Sequence, residues 1–353
     1  MQCHVGPPLP ATVCDQRTLT EISENGIMLA LTRRHFTQLA ITLPWTGAAA
    51  LAAAPATAWP TRPVRLLVGF PAGSTPDSSA RALADGLSPV LAQPVIVENR
   101  PGASGNLAAE LVARAQDDHT LGVVINGNLT TARMLNPQLP FDPARDLSLL
   151  SLLTTAPLAL VVPAELPGGR AFFEAAVQQG DRWNYGSVGA GSVAHLGMEQ
   201  LKRQVPGLMP VHVPYASNPA IITAMLGGQI QMALMPPGLA MPHVKSGRLR
   251  IIGLTGGRST LVPELGALRE LGIQHVQLEV WTALVGPASL SLSAQDRLAR
   301  EVPQVIRSTQ TRQKLFTQGW NAVGSSPEGL RTRVADERAI LGGIIQSARI
   351  KSE

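Results

Sequence analysis

The sequence has 353 residues, of which 45% are hydrophobic and 15% are charged, and its formal net charge is +5. This composition excludes an intrinsically disordered chain, and the length allows two domains with separate cores. Lys and Arg are scattered singly and only two Tyr are present, so a nucleic-acid surface is not expected.

The N-terminal region has the features of a twin-arginine export signal. Arg33 and Arg34 form the pair, and no Asp, Glu, Lys or Arg follows until Arg62. The intervening run is rich in Ala and Leu but too weakly apolar for a membrane anchor. It ends in small residues that fit signal cleavage after Ala58. These features predict a periplasmic protein with a cleavable signal in residues 1–58.

The first 27 residues contain nothing that looks like a signal, so we interpret Met28 as the translation start. Both cysteines, Cys3 and Cys14, precede it. The exported chain is therefore expected to have neither a disulfide nor a thiol nucleophile.

From Trp59 onward, short apolar strands alternate with amphipathic helices, a pattern that predicts an α/β fold with largely parallel sheets. The predicted strands are 64–70, 94–98, 119–125, 157–162, 183–188, 209–214, 229–235, 249–255 and 277–285. The predicted helices are 78–91, 105–115, 169–179, 192–204, 218–226, 238–246, 291–308 and 327–348.

A loop rich in Gly and Pro follows the first predicted strand, at 70–76. Asp77 stands where a helix N-cap belongs, immediately before the apolar spacing of the next helix. Such a loop presents free backbone N–H groups at the carboxyl end of the strand, which favours an anion. A second loop at 99–106 repeats the arrangement, so the two together predict a site for a small acid.

These two loops carry a resemblance to a known family. The first resembles F-P-P-G-G-S-T-D and the second resembles E-N-R-P-G-A-G-G-N, motifs of the Bug family of extracytoplasmic solute receptors of tripartite tricarboxylate transporters. The second match is nearly complete, over Glu98–Ala103, Gly105 and Asn106, whereas the first departs at Ala72, Ser74, Thr75 and Pro76.

A third glycine loop follows the strand at 183–188 and resembles the family's N-Y-A-S-A-G-N-G-T-S-P-H-L. The hydroxyls of Ser187 and Ser192 and the N–H groups of residues 190–193 are expected to bind a carboxylate. The segment 189–194 also fits a G-x-G-x-x-A dinucleotide fingerprint. That alternative lacks the acidic residue expected at the end of the next strand, where Val213-Pro214-Tyr215 stands.

Two further positions bear on the ligand. Tyr215 lies in a segment that resembles the family's H-V-P-Y-K-G-S-x-P-A, at the end of a predicted strand beside the expected cleft. Met235 and Pro236 stand where many relatives have an acidic residue and an amide. This loss of an acid predicts a plain carboxylate rather than an amino acid with an ammonium group.

The resemblance implies a two-domain periplasmic-binding-protein fold, similar to type II, with two crossover strands and a central ligand cleft. The expected domains are 59–160 with 283–353 for the first, and 161–282 for the second. The chain is then a receptor, working as a monomer, that delivers a small carboxylate to the permease subunits of a tripartite tricarboxylate transporter or to a sensor domain.

No catalytic residue, metal or cofactor is expected, because the sequence has no nucleophile elbow and no paired His at metal-ligand spacing. The alternative is an α/β enzyme acting on a small acid or a nucleotide cofactor. The predicted ligand-binding residues are Phe70, Ala72, Gly73, Ser74, Thr75, Asp77, Ala103, Ser104, Asn106, Ser187, Ala190, Ser192, Tyr215 and Met235.

Overall fold

The computed structural model describes residues 59–348 and 350. The predicted export signal, the cleavage site, Met28 and the two cysteines lie outside these residues. The described residues belong to one compact unit, 55–353. No helix in this described part of the chain is both long enough and apolar enough to cross a bilayer.

The strands are β1 (Val64–Val68), β2 (Val95–Asn99), β3 (Thr120–Ile125), β4 (Leu147–Pro157), β5 (Ala159–Pro163), β6 (Asn184–Ser187), β7 (Val211–Pro214), β8 (Met232–Met235), β9 (Leu249–Leu254), β10 (Glu279–Pro287) and β11 (Asn321–Ala322). The helices are α1 (Thr75–Leu91), α2 (Asn106–Ala113), α3 (Asn126–Thr130), α4 (Ala132–Leu135), α5 (Arg170–Gln179), α6 (Val193–Gln204), α7 (Asn218–Leu226), α8 (Pro237–Lys245), α9 (Leu292–Arg307), α10 (Thr309–Thr317) and α11 (Pro327–Ala348).

The strands form two sheets, each the centre of one lobe. Lobe I contains the six-stranded sheet, in the order β11-β4-β10-β3-β1-β2, and lobe II the five-stranded sheet, in the order β7-β6-β8-β5-β9. The chain passes from lobe I to lobe II at Leu158, between β4 and β5, and returns through β10. The fold is therefore the two-domain α/β type with a cleft between the lobes.

The prediction of largely parallel sheets is wrong, because both sheets are mixed. Strand β10 pairs antiparallel with β3 and β4, and β5 pairs antiparallel with β8 and β9. Crossover strands cause this, because a strand that returns from the other lobe enters its sheet in the opposite direction. The ligand-side strands β1 and β2, and β6 and β7, are parallel.

The sequence prediction also missed β4, β11, α3, α4 and α10. Strand β4 is the longest strand described, at 11 residues, and it pairs with β10 along its length. Its run of Leu, Ser and Thr has no alternation, because Ser151 and Thr154 are buried beside the leucines. A strand covered on both faces gives no period-2 signal.

Helix α11 contributes to the cores of both lobes. Leu330 and Val334 pack in a cluster of lobe I, whereas Leu341 and Ile344 pack in a cluster of lobe II. Between these two groups lies Glu337, whose carboxylate accepts hydrogen bonds from Trp281 Nε1 at 2.5 Å and Asn126 Nδ2 at 2.8 Å. Burial raises the pKa of Glu337, and those bonds only partly offset the effect. The helix thus bridges the lobes beside the two crossing segments.

The candidate ligand cleft

Two pairs of parallel strands, one pair from each lobe, end at the cleft. Each strand leads through a loop into the N-terminus of a helix. Strands β1 and β2 lead into α1 and α2 from lobe I, and β6 and β7 lead into α6 and α7 from lobe II. A cavity of about 260 Å³ lies between these loops. It is lined by Gly69, Phe70, Pro101, Gly102, Ala103, Ser104, Gly105, Val188, Gly189, Pro214, Tyr215 and Ala216, none of which is charged.

The first loop corrects the prediction that Asp77 is the N-cap of α1. The helix begins at Thr75 with Ser74 as its N-cap, so Asp77 lies in the first turn. Its carboxylate accepts hydrogen bonds from Gly73 N–H, Asn99 Nδ2 and Arg81 Nε, each at 2.9 Å. Proline at position 76 is tolerated there because the first helical N–H groups have no intrahelical acceptor.

Asp77 is buried, with 2% of its surface exposed. Burial alone would raise its pKa, but the hydrogen bonds from Arg81, Asn99 and Gly73 outweigh burial and lower the pKa. Asn99 Nδ2 also donates to Phe70 O at 2.9 Å. The carboxylate therefore holds the first loop against β2 through hydrogen bonds, and its oxygens already accept from protein donors.

The second loop holds two non-glycine residues in the left-handed region. Ala103 has φ 48° and Ser104 has φ 52°, followed by Gly105 at φ 88°. Such conformations are disfavoured for residues with a Cβ and persist where the surroundings enforce them. Asn128, at the start of α3, supplies part of this support: its Nδ2 donates to Ser104 O at 3.1 Å and to Asn106 Oδ1 at 2.9 Å.

Gly105 is required by the close approach of the two lobe I loops. A Cβ at this position would lie 2.5 Å from Cε2 of Phe70, whose ring packs on the glycine. The ring is 5% exposed and forms part of the cavity wall. The absence of a Cβ at Gly105 thus allows the Phe70 ring to pack directly against the strained loop at 103–105.

The third loop uses most of its backbone donors internally. Gly189 N–H donates to Ser187 Oγ, Gly191 N–H to His195 Nδ1, and Ser192 N–H to Gly189 O. The N–H of Ala190 donates to no acceptor among the described residues. The N–H of Val193 likewise donates to none of them, so the N–H groups of Ala190 and Val193 are the ones left for an anion among those predicted at 190–193.

Ser187 and Ser192 lie behind the surface of this loop. Ser187 is fully buried, and its Oγ lies 2.7 Å from His212 Nε2 and donates to Gly189 O at 3.0 Å. Ser192 is the N-cap of α6 and accepts from His195 N–H at 3.3 Å. A serine is activated as a nucleophile when it donates its proton to a histidine, but the Ser187 hydroxyl donates to Gly189 O and is buried away from any substrate.

The two lobes contact each other beside the cavity. Asn218 Nδ2 donates to Thr75 Oγ1 at 3.1 Å, and Thr131 Oγ1 donates to Gly191 O at 2.8 Å. Ser104 lies against Gly189, where an added Cβ would be 2.0 Å from Ser104 Oγ. The structure is thus a closed arrangement of the lobes.

The predicted ligand-binding residues fall into groups. Phe70, Ala103, Ser104 and Tyr215 line the cavity together. Others surround it without lining it: Ser74, Thr75, Asp77, Asn106, Ser187, Ala190 and Ser192, with the exposed Ala72 and Gly73 on the first loop. Met235 is fully buried in an apolar cluster of lobe II, so the structure does not bring its side chain to the cavity.

Sequence analysis missed Asn99, Asn128, Thr131 and Asn218, which hold the loops or connect the lobes. Asn128 and Thr131 follow the buried strand β3 directly, within a segment at 126–131 that contains two Asn and two Thr. A polar run at the carboxyl end of a buried strand was the signal that could have identified them. Ser217, the N-cap that precedes Asn218, was a second such signal.

The side chains of the described residues form no group of three or more His, Cys, Asp or Glu that could hold a metal ion. Ser74 Oγ is buried with no hydrogen-bond partner among them. The cleft therefore offers hydroxyls, loop amides and four helix N-termini, a set of donors that suits a small anion without a fixed counter-charge.

Comparison with known proteins agrees with this geometry. Residues 79–350 match the family model described as the tripartite tricarboxylate transporter family receptor. A UPF0065 protein from the gbd 5' region of Cupriavidus necator is 37% identical over 264 residues, which cover 72% of this chain and 79% of the relative. BugT of Bordetella pertussis is 28% identical, with 85% of this chain and 94% of BugT covered.

Two solved structures with bound acids share the fold. Rpa4515 of R. palustris with adipate is 27% identical, has a TM-score of 0.80, and covers 84% of this chain and 100% of its own. MatC from Rhodopseudomonas palustris with bound malate is also 27% identical, with a TM-score of 0.76 and coverage of 81% and 100%. The chain belongs to the receptor family of the tripartite tricarboxylate transporters, a family of periplasmic solute receptors.

Proposed function

We propose that this protein captures a small carboxylate in the cleft between its lobes and presents it to a tripartite tricarboxylate transporter or to a sensor. The observation that carries the proposal is the uncharged cavity, into which the loops preceding α1, α2, α6 and α7 converge from both lobes. Backbone N–H groups and helix N-termini stabilise an anion there by their dipoles.

The chemistry of the cavity favours a dicarboxylate without an ammonium group. Malate and adipate, the acids held by two relatives of the same fold, are both dicarboxylates. An amino acid ligand would need an acidic partner, and none lines the cavity. Asp77, in the first turn of α1, has its oxygens engaged by Gly73, Asn99 and Arg81. Met235, which stands where the family pattern has an acid, is buried away from the cavity and so does not bear on this choice.

Binding is the whole of the proposed activity, with no reaction, metal or cofactor. Turnover of a bound acid, followed by chromatography after prolonged incubation with the protein, would instead favour an enzyme. The buried Ser187–His212 pair is the group that such a result would implicate, so Ser187→Ala is the variant to test in that case.

The proposal includes export by the twin-arginine route with cleavage after Ala58. Replacement of Arg33 and Arg34 by Lys is expected to abolish appearance of the protein in the periplasm. Unchanged export of that variant would favour a general secretory signal. The receptor is further proposed to act as a monomer with membrane permease subunits or a sensor domain as its partner.

The ligand class is tested by a thermal-shift screen against mono-, di- and tricarboxylates, amino acids and nicotinate-like acids. A ligand that binds only the native state raises the melting temperature by mass action. We expect the largest shifts with dicarboxylates such as malate and adipate. Calorimetry then gives the affinities. Tight binding of amino acids, with simple carboxylates ignored, would overturn the assignment.

A further inference from the structure

The cleft loop of lobe II lies on two stacked histidines that belong to neighbouring elements. His195, on α6, and His212, on β7, have ring centroids 4.1 Å apart at an angle of 12°. Each ring holds one end of the loop: His212 Nε2 lies 2.7 Å from Ser187 Oγ, and His195 Nδ1 accepts from Gly191 N–H at 3.0 Å. The loop between them includes Ala190, whose N–H points to no protein acceptor among the described residues.

The bond from Gly191 fixes the chemical state of His195. A ring nitrogen that accepts a hydrogen bond carries no proton, so Nδ1 is the acceptor and the proton of the neutral ring is on Nε2. Protonation at Nδ1 would place a donor against the Gly191 N–H and remove the bond. The same glycine accepts the interlobe bond from Thr131 through its carbonyl, so its position also affects closure.

We infer that His195 is a positioning residue, which holds Gly191 and the adjacent loop in the geometry that binds the ligand only while its imidazole is neutral. The inference rests on the proposed function of this cleft. His195 is 7% exposed and does not line the cavity, so it acts through the loop and not by touching the ligand.

The surroundings of the ring favour the neutral form. Burial, followed by the neighbouring His212, lowers the pKa of His195 to about 4. The titratable groups facing it are His212 from β7, Tyr185 from β6, and Glu199 with Lys202 from its own helix. Glu199 opposes the shift, but its carboxylate is already engaged by Tyr185 OH at 2.6 Å and Lys202 Nζ at 2.9 Å.

Two substitutions of His195 distinguish the effect of its hydrogen-bond acceptor, Nδ1, from the effect of the size of its ring. Asparagine in H195N can place its amide oxygen near the site of Nδ1 and accept from Gly191, but it does not titrate. Phenylalanine in H195F preserves an aromatic ring against His212 and has no acceptor. H275F serves as the matched control, because His275 is exposed and does not line the cavity. All variants are made in the full chain and purified after export.

Affinity for adipate and malate is measured by calorimetry, with thermal melting to check the fold. H195F is expected to bind at least ~10-fold more weakly, whereas H195N and H275F stay within ~3-fold of the original protein. As the pH falls toward 4, His195 becomes protonated, so the original protein should lose affinity relative to H195N. Ionisation of the ligand affects both proteins equally and cancels in this comparison. Equal binding by all variants, or equal loss in H195N and H195F, would overturn the inference.

The amide resonance of Gly191 tests the same geometry without a ligand. In a ¹⁵N-labelled protein, this resonance should shift with acid as the acceptor is lost, and should not shift in H195N. Failure of the original protein to bind any acid would refute the proposed function, and the amide titration would then decide the role of His195 alone. A Gly191 resonance unmoved down to about pH 4 in the original protein would overturn that role.

Discussion

At the residue scale, the strained loop at 103–105 and the glycine opposite it define how closely the lobes approach. Ser104 has φ 52°, and its hydroxyl fits against Gly189 because the glycine has no Cβ. A left-handed residue with a side chain lowers stability, and this one lies in the cavity wall. The conformational cost is therefore located where a ligand would contact the protein.

Replacement of Gly189 by Ala is expected to weaken binding of adipate or malate by about tenfold or more. Its Cβ would lie 2.0 Å from Ser104 Oγ, so the lobes could not reach the closed contact. Calorimetry provides the measurement. Gly228→Ala is the control, since Gly228 also has positive φ (72°) but no atom lies within 4 Å of an added Cβ.

A second variant distinguishes this collision from simple backbone strain. In the double variant Ser104→Gly, Gly189→Ala, the nearest remaining atom of residue 104 is Cα at 3.7 Å, an ordinary contact. Binding should return to the level of Ser104→Gly alone. A double variant as weak as Gly189→Ala would attribute the loss to the alanine backbone instead.

Asp77 is expected to be important for stability although it occupies a predicted ligand position. Asp77→Ala removes a buried carboxylate that accepts hydrogen bonds from Gly73, Asn99 and Arg81, and should lower the free energy of unfolding by about 2–4 kcal/mol. Asp85→Ala removes an exposed acid of the same helix, paired with Lys314, and should cost about 0–1 kcal/mol. Urea unfolding of the two variants gives the comparison.

The contribution of Asp77 also depends on pH. Because its pKa is lowered in the folded state, the carboxylate stabilises the protein above the unfolded pKa. That stabilisation is lost as the pH falls through the folded pKa. The stability difference between the original protein and Asp77→Ala should therefore narrow in acid. A difference that stays constant would exclude the charge of Asp77 as its source.

At the element scale, the sequence predicted the ligand-side strands and helices well and the connecting elements poorly. The predicted bounds of β1, β2, β6 and β7 lie within about two residues of the observed ones, since each strand is short and ends at turn residues. The predicted start of α1 at residue 78 is too late, because Ser74 and not Asp77 is the N-cap, and proline at 76 is typical of a first turn.

The site itself was predicted only where its residues carry a local pattern. Phe70, Ala103, Ser104 and Tyr215 belong to loops with clear turn chemistry, and they do line the cavity. The amides that hold these loops, Asn99 and Asn128, act across distant segments of the chain. The polar segment at 126–131 marks α3 as a candidate support, but it does not indicate which loop α3 contacts, because that depends on the packing of β1, β3 and α2.

Helix α11 offers a test of how the two cores are joined. Leu341→Ala, at a fully buried position in lobe II, should lower the free energy of unfolding by about 2–5 kcal/mol. Ile340→Ala changes the adjacent residue, which is 57% exposed, and should have a small effect. Both are measured by denaturant unfolding with probes in each lobe.

Whether Leu341→Ala destabilises one lobe or both is as informative as the size of the change in the free energy of unfolding. Since α11 packs in both cores, Leu341→Ala should shift the unfolding of both lobes together. Trp281 in lobe I and Trp183 in lobe II provide fluorescence probes when the other tryptophans are replaced by Phe. If the lobe II probe moves to lower denaturant while the lobe I probe stays, the lobes unfold independently.

At the scale of the whole molecule, closure depends on a few bonds that exist only when the lobes meet. Asn218→Ala removes the bond to Thr75 and is expected to weaken ligand binding by about fivefold, because a net hydrogen bond contributes about 1 kcal/mol. Thr223→Ala is the control on the same helix, where the hydroxyl bonds within α7 to Pro219 O. Calorimetry measures both variants.

Small-angle X-ray scattering tests whether the weaker binding of Asn218→Ala comes from a smaller population of the closed state. With saturating adipate, both the original protein and Asn218→Ala should reach the same compact radius of gyration. Without ligand, Asn218→Ala should be the more expanded of the two, as its closed state is less populated. Identical scattering without ligand, together with weakened binding, would mean that Asn218 contacts the ligand directly.

The position of α11 at the end of the chain order also has a consequence for folding during synthesis. A ribosome makes every strand of both sheets before it makes α11, so each lobe must wait, with apolar surface uncovered, until this helix arrives. Chains that stop early would keep that surface exposed and attract proteases and chaperones. The last helix made therefore completes the cores of both lobes, and truncation before it is expected to leave both incomplete.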